Sequence, residues 1–386
     1  MSRERETLRV LMVSDVYFPR INGVSTSIQS FRNALAREGV EVALVVPRYG
    51  DEADERDVER VPGWVLPRDP EDRLLRWGET RRAVEAAART ADLIHIQTPF
   101  VAHYVALGVA RRLKKPVIAT YHTLFEEYLH HYIPFVPSAL LRGATRRFSR
   151  GQCNALNAVV VPSTAMHDRL LSYGVTAPLR VLPTGIPLAG FAAGSRERFR
   201  TTHGIDPNRP VAIFVGRLGH EKNISFLLQA LNRVHRERPD ALLLLTGEGP
   251  SRGHLEAEVE RLGLHNQVRF LGYLDRATEL PDAYAAADLM VFASRTETQG
   301  LVLLEAMAAG CPVLGLAAMG TADILLPQRG CRVAADDVPA FADAWLGLIK
   351  DPAALAALAA EAPIYAGEWS DAAMAQRMAA LYRELL

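Results

Sequence analysis

The sequence predicts an α/β protein built as two doubly wound, parallel-sheet halves. Short, continuous apolar runs alternate with helix-period segments from Leu8 to Leu316, the pattern of strands covered on both faces by crossover helices. No hairpin signal joins neighbouring runs. The chain has 386 residues, too many for one typical domain, and a single Pro-, Gly- and Ala-rich stretch, Leu182–Arg196, interrupts the rhythm.

Leu8–Ser14 (LRVLMVS) reads as the first buried strand; it ends in Asp15 and leads through Gly23 into a helix over Val24–Glu38. Glu41–Pro47 is the next strand, and the polar, acidic stretch Arg48–Arg60 reads as a surface loop. A helix over Leu74–Thr90, a strand at Asp92–Gln97, a helix from about Phe100 to Leu113 and a strand at Pro116–Tyr121 continue the alternation. Leu156–Pro162 is another strand, after a long basic helical stretch. The break at Leu182–Arg196 divides residues 1–186 from 187–368. In the second half Val211–Val215, Ala241–Thr246, Gln267–Leu271, Leu289–Ala293 and Pro312–Leu316 are strands. Ile224–Arg238, His254–Leu262 and Leu301–Ala309 are helices between them. Ala372–Leu386 is an amphipathic helix with no strand after it, and 369–386 is expected to cross back to the first domain.

Composition removes several function classes. Hydrophobic residues make up 49% and charged residues 23%, the balance of a soluble globular protein, and no apolar run approaches the ~20 residues a bilayer span needs. The charged start MSRERETLRV runs straight into a strand, so no signal peptide is expected. Cys153, Cys311 and Cys331 form no CxxC pair, which points to reduced thiols in a cytosolic protein and away from structural zinc. Net charge is zero overall. Residues 1–186 carry 25 Lys+Arg against 20 Asp+Glu (+5), and 187–386 carry 19 against 24 (−5), too little for a general nucleic-acid binder. The DEAD run at Asp51–Asp54 has no GxxxxGK[ST] loop to accompany it.

The richest stretch is Phe292–Gly310, FASRTETQGLVLLEAMAAG. Glu297 precedes a helix and Glu305 lies two turns into it, a rise of roughly 12 Å that suits a nucleotide with a group attached. Thr298, Gln299, Gly300 and Leu301 lie between them, where a helix start offers backbone N–H groups to an anion. Glu305 sits among Leu304, Ala306, Met307 and Ala308, so burying it demands hydrogen bonds. In Gly216–Asn223, Arg217 and Lys222 sit at a strand–helix turn, where two fixed cations can neutralise a diphosphate; a solvated loop fits the same residues. Thr246-Gly247-Glu248-Gly249 is a tight turn lacking the third glycine of a dinucleotide fingerprint. Tyr121-His122-Thr123 ends a strand of the first half, placing Tyr121 and His122, with Asp15, at that sheet's ligand edge. No DxD motif is available to hold a divalent metal.

Together SDVYFPRINGVSTSI, HIQTPF, TYHTLFEEYLHHY, LPTGI, VGRLGHEKN, GEGP, VRFLGYL and SRTETQGLVLLEAMAAGCPVLG resemble the retaining glycosyltransferases of family 4, in order and over nearly the whole chain. The resemblance implies the GT-B architecture, two Rossmann-like domains facing a cleft, with a nucleotide sugar as donor and no metal or other cofactor. It implies that Glu305 holds the ribose, Glu297 the transferred sugar, Arg217 and Lys222 the diphosphate, with Gly23 against it and His122 on the sugar. Glu248 and the Arg269 region would border the nucleotide, and Asp15 and Tyr121 the acceptor. Within the family the ETQG and HTLFEEYLHHY forms look most like bacterial diacylglycerol glucosyltransferases, then lipid mannosyltransferases. LPTGIPLAGF departs by having Pro187 where many relatives are acidic.

The expected activity is transfer of a hexose, with retention, from a UDP-glucose-type donor to a membrane-lipid hydroxyl. A GDP-mannose-dependent α-mannosyltransferase and a nucleotide-sugar epimerase are the alternatives, and a non-catalytic sugar-binding module would not need Arg217, Lys222 and Glu297 together. From Tyr128 to Met166 there is no acidic residue, while Arg142, Arg146 and Arg150 recur every four residues with Arg147 beside them. With Leu140, Leu141, Ala144, Phe148 and the upstream Tyr132–Val136, they read as a basic amphipathic face for an anionic membrane. That suggests a cytoplasmic protein held peripherally on the inner face of the cell membrane. The same arginines read equally as partners of neighbouring acids.

Overall fold

Two α/β units make up the chain in a computed structural model that describes residues 7–66, 69–122 and 138–386. One unit comprises Met1–Gly185 with Asp371–Leu386, the other Ile186–Ser370.

The first unit's strands are β1 (Leu8–Val13), β2 (Val40–Pro47), β3 (Val58–Val61), β4 (Gly63–Leu66), β5 (Asp69–Leu75), β6 (Leu93–Ile96), β7 (Val117–Thr120), β8 (Ala158–Val161) and β9 (Leu179–Val181). Seven of them form a sheet in the order β3-β2-β1-β6-β7-β8-β9, parallel throughout. Strand residues such as Leu11, Val45, Ile94 and Val160 are fully buried, because crossover helices cover both faces of a parallel sheet. Winding reverses between β1 and β6. The carboxyl ends of these two strands therefore form the switch point of the sheet, the usual place for a ligand in an open α/β fold.

The second unit repeats the plan with β10 (Val211–Val215), β11 (Leu242–Thr246), β12 (Val268–Gly272), β13 (Leu289–Phe292), β14 (Val313–Gly315) and β15 (Cys331–Val333). The order is β12-β11-β10-β13-β14-β15, again all parallel. Here the winding reverses between β10 and β13.

Three local expectations change. Strands β4 and β5 pair antiparallel, a hairpin-like pair with no Asn-Gly or Asp-Gly between them to announce it. Consequently the expected helix over Leu74–Thr90 is shorter: β5 runs to Leu75 and the helix spans Trp77–Ala88. The stretch read as a loop, Arg48–Arg60, ends in β3, a four-residue edge strand too short to show a period. The thiols of Cys153, Cys311 and Cys331 are all free and buried.

The last helix, Asp371–Glu384, belongs to the first unit. Met374, Ala375, Met378, Ala379 and Tyr382 recur at helical spacing and pack with Ile28, Phe31 and Leu35 of the helix Gly23–Leu35. Its anchor is polar. Fully buried His95, on β6, meets the Tyr382 hydroxyl through Nδ1 at 2.7 Å and the Thr120 hydroxyl through Nε2 at 2.7 Å. Desolvation pushes His95 from the ordinary 6.5 down to about 3, so the folded state holds it neutral. The unfolded chain binds that proton below about pH 6.5, so this contribution to stability is present above 6.5 and lost as pH falls towards 3. Over that window His95 contributes a slope of about 1.4 kcal/mol per pH unit. Urea unfolding from pH 7 to 4 should show a shallower pH dependence, by about one proton, in His95→Gln; an unchanged slope would show that His95 is not buried neutral.

Candidate active site

At the carboxyl edge of the second sheet, the loops after β10, β11 and β13 are stitched together. Leu218 N–H donates to the Glu248 carbonyl at 3.0 Å and Ser251 N–H to the Leu218 carbonyl at 2.9 Å. The Ser294 hydroxyl donates to the Glu221 carbonyl at 3.1 Å, and the Asn223 amide to the Ala293 carbonyl at 3.1 Å. Gly247 is required by this contact, since a Cβ there would lie 2.1 Å from the Gly216 carbonyl oxygen. The GxG of Gly247-Glu248-Gly249 thus serves loop-to-loop approach.

This stitching brings two expected residues into contact. Lys222 Nζ lies 2.5 Å from Glu297 Oε2, with both side chains about four-fifths buried. Immediately beyond Glu297 the helix Leu301–Ala308 begins, and its N-cap, Gly300, makes no side-chain cap; no acidic residue occupies the first turn. The positive end of this helix thus lies just beyond the loop that carries the Lys222–Glu297 pair. Gln299 is buried, and Leu301 is half-buried as the helix's first residue. The Thr298 carbonyl abuts Gly320, whose N–H donates to the Glu297 carbonyl at 2.8 Å; a Cβ on Gly320 would stand 2.0 Å from the Thr298 oxygen. Arg217 is exposed and in no ion pair or side-chain hydrogen bond among the described residues.

Glu305, about one turn into the helix, is 1% exposed. Burial of a carboxylate demands compensation, and two groups supply it: the Tyr284 hydroxyl donates to Oε2 at 3.2 Å, and Arg276 pairs with Oε1. Sequence reasoning missed both partners, as well as Gly320. An apolar helix around Glu305 signalled that partners must exist, but not where in the chain they lie.

Glu248 reaches the same edge, paired with Arg252, which lies over the Phe270 ring. Arg269 does not. It sits mid-strand, three residues before the carboxyl end of β12, roughly 10 Å back at strand rise, and donates to the His203 carbonyl at 2.6 Å.

In the first unit, Asp15 follows β1. Its carboxylate accepts from the Thr98 hydroxyl at 2.7 Å and from Ala102 N–H at 3.1 Å, at the start of the helix Val101–Leu113. Desolvation outweighs these bonds and raises Asp15 from 3.8 to about 6. His122 Nε2 meets Gln97 Oε1 at 3.0 Å; desolvation lowers it to about 4, so it is neutral near pH 7. Tyr121 is buried with its hydroxyl 2.9 Å from that of Ser149. Gly23 opens its helix, with open space where a Cβ would project. On the basic helix Ser138–Cys153, Arg147, Arg150 and Phe148 are exposed and Arg146 lies over the Tyr173 ring. Neither Arg147 nor Arg150 is in an ion pair among the described residues. The Arg142 side chain and Tyr132–Val136 lie outside what is described. Among the described residues, no group of three or more His, Cys, Asp or Glu side chains is placed to hold a metal ion, and no helix is long and apolar enough to cross a membrane.

The chain is similar to known proteins over most of its length. Residues 21–189 match the model of "Glycosyltransferase Family 4" and 195–364 that of "Glycosyl transferases group 1". The alpha-monoglucosyldiacylglycerol synthase of Streptococcus pneumoniae is 32% identical over 80% of this chain and 70% of its own length. A GDP-mannose-dependent alpha-mannosyltransferase of Mycobacterium tuberculosis is 29% identical over 83% of this chain and 82% of its own. In fold, Anabaena Alr3699/HepE, solved in complex with UDP, superposes with a TM-score of 0.77 over 98% of this chain and 100% of that one, at 20% identity.

The close contact at Gly320 gives a test of the loop geometry. Gly320→Ala should cost about 1–3 kcal/mol of unfolding free energy through overpacking against Thr298. Gly347→Ala, in a helix with open space around it, should be neutral or stabilising by about 1 kcal/mol. Equal melting temperatures for the two variants would contradict the contact.

Proposed function

This chain belongs to the glycosyltransferases of family 4, and on that footing we propose that it transfers glucose from UDP-glucose to a hydroxyl of a membrane lipid such as diacylglycerol. The observation that carries this reading is the Lys222–Glu297 pair beside the open start of the helix Leu301–Ala308. A diphosphate held there meets a lysine ammonium with N–H donors to spare, the helix dipole, and the exposed Arg217. Glu297, fixed by Lys222, is placed for hydroxyls of the transferred sugar, and Glu305 for the ribose. His122, neutral at pH 7, is the first unit's candidate for a sugar hydroxyl.

The resemblance to the retaining enzymes of family 4 implies the course of the reaction. The acceptor oxygen attacks the anomeric carbon on the face from which the diphosphate leaves, so configuration is retained. The bond from that carbon to the phosphate oxygen breaks with its electron pair on the diphosphate, and the acceptor proton passes to a phosphate oxygen. Negative charge gathers on the leaving group, where fixed cations and N–H dipoles favour the transition state over the ground state. No side-chain nucleophile and no metal is required. The Streptococcus relative, named for a glucosyl lipid, supports a glucosyl donor and lipid acceptor; the Mycobacterium relative, named for GDP-mannose, supports GDP-mannose as the second donor.

Assay with UDP-glucose or GDP-mannose and diacylglycerol vesicles tests this directly. Glucosyl-lipid formation is expected. Lys222→Ala and Arg217→Ala should each lower kcat, by about 100-fold where the lost cation faces the leaving diphosphate, and EDTA should leave turnover intact. Unchanged kcat in both variants, or loss on EDTA reversed by magnesium, would overturn the leaving-group assignment.

We further propose that the protein meets its acceptor peripherally, at the inner face of the cell membrane, through the helix Ser138–Cys153. Arg147, Arg150 and Phe148 are all exposed on this helix, with Arg147 and Arg150 an i,i+3 pair of cations worth about 1 kcal/mol each near an anionic surface. Co-sedimentation with vesicles containing phosphatidylglycerol should be strong at low salt and weaken as salt is added. It should also weaken in Arg147→Glu/Arg150→Glu. Salt-independent binding equal in both proteins would remove the basis for this surface.

A further inference from the structure

The residue pattern and the family match leave Arg276 without a role. It lies in the turn after β12, a turn fixed by Asp275, whose Oδ1 accepts from the N–H groups of Ala277 and Thr278 and from the Thr278 hydroxyl. From there its guanidinium lies over the Phe191 ring, 5.7 Å from the centroid, and pairs with Glu305. Phe191 also meets Tyr284 edge-on, with ring centroids 6.0 Å apart. The four side chains form one cluster around the Glu305 carboxylate.

The two groups touching that carboxylate differ in access. Tyr284 is fully buried, whereas the Arg276 side chain is 39% exposed. Anything arriving from solvent at Glu305 therefore meets Arg276. Each carboxylate oxygen carries two acceptor positions. Tyr284 uses one on Oε2 and Arg276 one on Oε1, which leaves one on each oxygen for a pair of vicinal hydroxyls. Only one guanidinium nitrogen is hydrogen-bonded to the carboxylate, so further N–H donors are available at the rim.

We propose that Arg276 is a specificity-determining residue of the donor site, forming with Glu305 a charged pair that reads the ribose diol of the nucleotide. The proposal rests on the reading of Glu305 as the ribose-binding carboxylate. Arg276 orients the carboxylate and offsets its charge, since removing one member of a buried pair leaves an uncompensated charge. Its remaining N–H groups meet the 2′-oxygen, which a deoxyribonucleotide lacks.

Isothermal titration with UDP and GDP, and with 2′-deoxy-UDP and 2′-deoxy-GDP, tests this on the wild type and on Arg276→Ala, Arg276→Lys and Glu305→Gln, with melting curves confirming the fold. The wild type should prefer the ribonucleotide it binds over its 2′-deoxy form. Arg276→Ala should lose roughly tenfold in ribonucleotide affinity, the loss expected for one charged hydrogen bond. Its affinity for the 2′-deoxy form should change little, so the preference collapses; Arg276→Lys should keep part of it. A merely structural role would lower both affinities alike. If Glu305→Gln loses the preference and Arg276→Ala keeps it, the proposal fails while the ribose assignment stands. If both keep it, or the wild type binds neither UDP nor GDP, the reading of Glu305 fails and takes the proposal with it.

Discussion

Parallel pairing of β10 with both β11 and β13 is the constraint on which the second unit's chemistry depends. A parallel strand cannot return by a tight turn, so each is followed by a loop and a helix, and all such loops leave from the carboxyl edge. Reversal of winding at β10 sets the loops after β10 and β13 side by side at that edge. Lys222 and Glu297 are 75 residues apart in the chain, yet they meet because their loops leave neighbouring strands. The first unit obeys the same rule at β1 and β6, where Asp15 and Thr98 meet across 83 residues.

Charge within that frame is placed with economy. A lone buried lysine or glutamate would carry a large desolvation cost; Lys222 and Glu297 offset one another, and Glu305 is offset by Arg276 and Tyr284. The consequence is a set of charged groups already oriented before a ligand arrives, next to the start of the helix Leu301–Ala308. Preorganised charge of this kind stabilises charge that develops in a transition state without reorganising at the moment of reaction.

Much of this was legible in the residues. Apolar runs without alternation announced parallel strands. The apolar surroundings of Glu305 announced that it would need partners, and Gly300 followed by a helix period announced an open helix start. Other features were illegible for definite reasons. β3 (VERV), β9 (LRV) and β15 (CRV) are edge strands in which charged residues break the continuous apolar run that marks a buried parallel strand. Pairing of β4 with β5 carries no turn signature. The family resemblance alone places the Arg269 region beside the nucleotide; in the fold, three residues short of the end of β12, its guanidinium donates to the His203 carbonyl.

Sequence alone determined the alternation of the buried parallel strands with helices, the resemblance to family 4 and the residue types available for binding a diphosphate, since these depend on local periodicity and spacing. Tertiary structure decided which of those residues touch: that Lys222 holds Glu297, that Arg276 and Tyr284 flank Glu305, that Gly320 supports Thr298, and that Tyr382 of the last helix bonds His95 of the first sheet. Such contacts join positions far apart in the chain. Their geometry is set by strand order and by the burial of charge, neither of which is a property of any local stretch of sequence.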